Sequence, residues 1–128
     1  METALHERMD LSPDAASVRR ARSFVRDQLT AWGCEPLART AELLTSELAT
    51  NVVRHAHTPY AVVVTRTLGG ARVDVLDRSG DSPRLQFSDL GSSTGRGLAI
   101  VACMASEWGA TPADDLEGYA KGVRFSVG

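Results

Sequence analysis

Apolar residues recur at helical spacing in two stretches early in the chain. Val18, Ala21, Val25, Leu29 and Trp32 mark the first. Ser12-Pro13-Asp14 precedes it as a helix start, with a hydroxyl cap, a proline at the first helical position and an acid in the first turn. Gly33 is placed to stop it. The second stripe is Leu37, Ala41, Leu44, Leu48 and Val52, which predicts a helix from about Pro36 to His57, ended by Thr58-Pro59. The pattern then changes to β. Tyr60 to Leu68 holds three successive valines, Gly69-Gly70 makes a tight turn, and 72–77 (RVDVLD) alternates as the partner strand. Residues 78–94 are rich in Gly, Ser, Asp and Pro and read as a long loop. Gly95 to Ala105 reads as a short apolar helix, 106–111 as a strand, 112–120 as a turn or loop, and Gly122 to Val127 as a last strand. The order α, α, β, β, loop, α, β, β predicts an α+β fold: a two-layer sandwich whose mixed, mostly antiparallel sheet is covered on one face by helices. Residues 1–11 read as an N-terminal arm, and 12–128 as one domain.

Composition narrows the function classes. The chain has 128 residues, room for one core. Its net charge of −2 supplies no basic footprint for direct nucleic-acid contact. No apolar run approaches the roughly 20 residues that span a bilayer. The acidic, polar start is unlike a secretory signal, and Cys34 and Cys103 lie apart in apolar contexts, so a cytoplasmic protein with reduced thiols is expected. Of the 14 basic residues only Lys121 is lysine, and it lacks the flanks of a Walker phosphate loop. A kinase-type catalytic loop and a hydrolase elbow are also missing.

Three places could carry chemistry. Glu47 and Asn51 lie one helical turn apart at the rim of an apolar stripe. An amide oxygen there suits Mg²⁺, and a carboxylate one turn away can accept a proton. Arg54, a further turn on, can reach a phosphate. The same spacing also describes an ordinary solvated pair. Asp77 follows Val73 and Val75 onto the core face of its strand, where an acid needs a partner such as the exocyclic amine of adenine. It could equally begin a turn. Thr94-Gly95-Arg96-Gly97-Leu98 opens a helix whose free amides favour an anion, although close helix packing explains many such glycine pairs. His55 and His57 fall on different faces with no third ligand, and a capping or packing role is expected of them.

Taken in order, these segments resemble the three boxes of the GHKL ATPases, the superfamily of gyrase, the heat-shock chaperone and histidine kinases. The first box resembles Glu47 to Ala56 (ELATNVVRHA), the second Val73 to Gly80 (VDVLDRSG), and the third Thr94 to Val101 (TGRGLAIV). The leading helix and final strands suit the small stand-alone members, the anti-sigma factor serine kinases and their relatives. The resemblance implies ATP held between helices and sheet, with Glu47 as general base and Asn51 on Mg²⁺. It implies that Asp77 holds the adenine amine, with Ser79 and Gly80 beside it. Arg54 and Thr94, Gly95, Arg96, Gly97 and Leu98 would lie along the phosphates. It further implies a sigma factor or an anti-anti-sigma (STAS-type) protein as partner, and homodimers. A non-catalytic ATP-binding switch that sequesters such a partner is the alternative. One departure stands out. The usual Asp-x-Gly-x-Gly is here Asp77-Arg78-Ser79-Gly80-Asp81, so a side chain at Ser79 either crowds the adenine or points away.

Overall fold

The computed structural model describes residues 5–80, 101 and 103–128. Strand β1 (His6–Leu11) leads into helices α1 (Ala15–Ala31) and α2 (Glu35–Asn51). A π-helical turn (Val52–Ala56) extends α2, and strands β2 (Tyr60–Thr67) and β3 (Gly70–Asp77) follow. Strand β4 (Glu107–Ala110), a 3-10 turn (Ala113–Asp115) and β5 (Lys121–Val127) complete the described elements. The five strands form one sheet in the order β1-β2-β3-β5-β4, and each of these pairings is antiparallel. This is the helix-on-sheet sandwich that the pattern predicts.

Residues 6–11, expected to be an arm, are instead an edge strand. Leu11 lies opposite Tyr60, and His6 opposite Thr65. Met9 and Leu11 face the helices, while His6, Arg8 and Asp10 take the opposite face. Glu7 shares the set of Met9 and Leu11, and a charge there breaks the strand's period-2 pattern.

Local chemistry sets the helix ends. Asp14, not Ser12, caps α1: its Oδ1 accepts the Ser17 amide at 2.9 Å, while Ser17 Oγ donates to the Asp14 carbonyl at 2.7 Å. At the other end the Cys34 amide reaches the Leu29 carbonyl (2.7 Å) and the Gly33 amide reaches Thr30 (3.2 Å). That paired closure needs a left-handed residue, and Gly33 supplies it at φ 78°. The β2–β3 turn is Leu68-Gly69, one residue earlier than expected. Gly69 takes φ 88°, and Gly70 already pairs with Thr67.

The core fills the space between helices and sheet. Ala21, Val25 and Leu29 of α1 and Ala41, Leu44 and Leu48 of α2 are buried against Tyr60, Val62, Val64, Val73, Val75 and Phe125. Each large apolar side chain buried there contributes about 1.5–3 kcal/mol. Val101 joins this core, and its carbonyl accepts the Ala105 amide at 2.9 Å. This last turn is the described end of the helix expected over 95–105. Of the expected stripes, Leu37, Val18 and Trp32 are only partly buried.

The back face of the sheet has its own, smaller cover. Ala61, Val63 and Leu76 are buried under Tyr119, with Leu116 against them. Both come from 112–120, the connection between β4 and β5, which reaches across the sheet to β1. Glu117 carries the left-handed φ of 50° there. Its carboxylate accepts from His6 Nε2 at 2.9 Å and its carbonyl from Arg8 at 3.2 Å. Also on this face, Asp74 is only 2% exposed. Its Oδ1 accepts from Thr111 Oγ1 and Arg124 Nε, each at 2.8 Å, and Arg72 Nε lies 3.5 Å from Oδ2. A buried carboxylate is tolerable only with such partners.

Candidate functional site

Glu47 and Asn51 occupy the last turns of α2, both half-buried and on neighbouring helical positions. Beyond Asn51 the backbone widens. The His57 amide bonds to the Val52 carbonyl five residues back (3.0 Å), closing a π turn. Such turns re-aim side chains and recur at functional sites. Arg54 and His55 are exposed on it, and His57 ends it at φ 55°. His57 is thus the cap of the turn, and neither histidine packs in the core.

Asp77 ends β3 on the helix-facing side, opposite Tyr60 on one flank and Lys121 on the other. It is 6% exposed. Its Oδ1 accepts the Ser79 amide at 2.8 Å. The acid therefore starts a turn, and it does so on the core face. Burial pushes its pKa above the ordinary carboxylate value, outweighing the opposing pull of the Ser79 amide and of Lys121.

The turn also explains how serine stands where the resembled box has a glycine. The bond uses the backbone of Ser79, which is not in the left-handed region. A Cβ at that position therefore costs no backbone strain. Gly80 is exposed, and a Cβ built on it meets nothing within 4 Å.

The two boxes are tied together at Thr58. Its hydroxyl, one residue beyond the cap of the π turn, accepts the Arg78 amide at 3.0 Å. The end of the Glu47–Asn51 helix and the Asp77 turn are thereby fixed to each other. From the other side the Ala120 amide donates to the Asp77 carbonyl at 2.9 Å. The motif reading missed Thr58 and Ala120, because neither belongs to a box. Thr94, Gly95, Arg96, Gly97 and Leu98 lie outside the described residues.

The donor set suits the ligands that the motifs imply. Asn51 offers a hard amide oxygen, with the Glu47 carboxylate a turn away, which fits Mg²⁺. Asp77 offers a buried acceptor, which fits an amine and repels a carbonyl oxygen. No helix among the described residues is long and apolar enough to cross a membrane.

The family model that matches is described as the histidine kinase-like ATPase domain, and it covers residues 11–115. No curated protein matches the chain.

Proposed function

Because the chain belongs to the histidine kinase-like ATPase domain family, we propose that its ATP-binding regulatory role is that of an anti-sigma factor serine kinase. The observation that carries the nucleotide half of this reading is Asp77, a carboxylate buried on the helix side and fixed by the Ser79 amide. It would accept the 6-amino group of adenine and reject guanine, whose oxygen sits at that position. Asn51 would hold Mg²⁺, which when bound offsets charge on the phosphates. Arg54 would reach the phosphates from the π turn.

Glu47 is the general base in this reading. It takes the proton of a partner's serine hydroxyl as that oxygen forms a bond to the terminal phosphorus and the bond to the ADP oxygen breaks. The partner would be an anti-anti-sigma (STAS-type) protein, with a sigma factor as the alternative occupant, and the domain would act as a homodimer.

Titration calorimetry with Mg²⁺ and ATP, with GTP and Asp77→Ala as controls, tests the pocket. ATP binding that Asp77→Ala abolishes supports it. No binding at millimolar ATP removes the kinase reading. Transfer of radiolabelled phosphate to the partner's serine tests Glu47. Glu47→Ala is expected to bind ATP and lose transfer, and retained transfer would refute the assigned role. A second reading, a non-catalytic ATP-dependent switch, draws on the Asp77-Arg78-Ser79 departure from the glycine-rich box. A stable partner complex without turnover would favour it.

A further inference from the structure

We propose that Arg78 and Tyr119 are positioning residues for adenine recognition, holding the Asp77 carboxylate from the back of the sheet. This rests on the nucleotide reading above and adds two residues to which that reading gives no role.

Strand alternation sends Asp77 toward the helices and Arg78 to the opposite face. There the Arg78 guanidinium carbon lies 4.5 Å from the centre of the Tyr119 ring, and its Nη1 donates to the Gly118 carbonyl at 3.5 Å. Such a cation–ring contact is attractive and directional. The next residue of the same segment, Ala120, donates its amide to the Asp77 carbonyl at 2.9 Å. Thus residues 118–120 grip both Asp77 and its neighbour, while Thr58 grips the Arg78 amide from the helix side.

Tyr119 is itself held. It is 7% exposed, its hydroxyl donates to Asp10 Oδ1 at 2.6 Å, and the Arg8 guanidinium lies 5.5 Å from its ring centre. Arg8 in turn donates to Asp10 (2.8 Å) and to the Glu117 carbonyl. The arrangement links β1, the 112–120 segment and the Asp77 turn into one unit. Arg78 and Tyr119 act through Asp77, whose single acceptor must meet a single amine. Recognition of that kind tolerates displacements of only about 0.5 Å.

A rival account gives Arg78 a simple electrostatic pull on the phosphates. The two accounts differ in what the purine must carry. A pull on phosphate acts on any purine triphosphate, whereas a misplaced Asp77 weakens only a ligand that has the 6-amino group. The test titrates the full chain and its Arg78→Gln and Tyr119→Leu variants with ATP and with purine riboside triphosphate, which lacks that amine. Both variants should bind ATP about tenfold more weakly, the worth of one hydrogen bond to a charged group. Purine riboside triphosphate should weaken less than about twofold, since it makes no such bond. Arg78→Lys should recover part of the loss, because an ammonium also stacks on the ring.

Equal losses for both nucleotides, or no loss, would overturn the proposal. Arg78 is exposed, so its glutamine variant carries the test even where Tyr119→Leu fails to fold. A readout without nucleotide separates this proposal from the one it rests on. In Arg78→Gln, amide exchange at Ser79, which bonds to Asp77 Oδ1, should quicken severalfold while exchange at Val73 holds steady. Unchanged exchange at Ser79 would refute the positioning role. Failure of the unaltered chain to bind ATP would refute the nucleotide reading instead.

Discussion

Burial raises the pKa of Asp77 in the folded chain above the ordinary 3.8. The folded state therefore holds this proton more tightly than the unfolded state does. Its contribution to stability is complete below about pH 3.8 and is lost as pH rises through the folded value. Asp77→Asn removes that loss. In urea melts without nucleotide it should be at least as stable as the parent at pH 7, and the difference should vanish at the acid end. The turn itself survives this substitution, since an amide oxygen still accepts the Ser79 amide. ATP affinity should run the other way, because the amine needs the ionised carboxylate. Calorimetry across pH 4–7 should find ATP binding weakening at a higher pH than an ordinary aspartate would give. Alternation alone placed Asp77 on the correct face, so this residue was legible in the sequence. The grip of Ala120 on Asp77 and of Thr58 on the following Arg78 was not, because those contacts join segments about 40 and 20 residues away along the chain.

At the scale of the element, β3 is buried on both faces along most of its length, and each face asks something different of it. Val73 and Val75 meet the helices, while Asp74 meets Thr111, Arg124 and Arg72 behind. Arg124→Met would strip this carboxylate of its shortest charged partner. A loss of about 3 kcal/mol is expected, since breaking a buried pair strands the remaining charge. Phe125→Ala on the neighbouring strand should cost about 3–5 kcal/mol through the cavity it leaves. Denaturant midpoints of both variants check these values. Elements with one wet side, such as α1 and α2, are readable because apolar spacing survives in them. Strand β1 is not, since its outward positions His6, Arg8 and Asp10 serve partners more than a hundred residues away. The π turn is also hidden, as the shift in hydrogen bonding leaves the apolar pattern of α2 intact.

For the whole molecule, a ligand that binds only the folded chain stabilises it by mass action. ATP with Mg²⁺ at a hundredfold excess over Kd should add about 2.7 kcal/mol, and GTP should add nothing. Thermal melts with each nucleotide check this, and an equal rise with both would contradict discrimination at Asp77. The contacts of Glu117 and Tyr119 with β1 carry a further consequence. They join residues 109 positions apart, Arg8 to Glu117 and Asp10 to Tyr119. During synthesis the first strand can pair with β2 once both have emerged, but its outer face stays uncovered until residues 112–120 follow. The hold of residues 118–120 on Asp77 and Arg78 is likewise made only after that segment is synthesised, so the order of translation makes this support a late step.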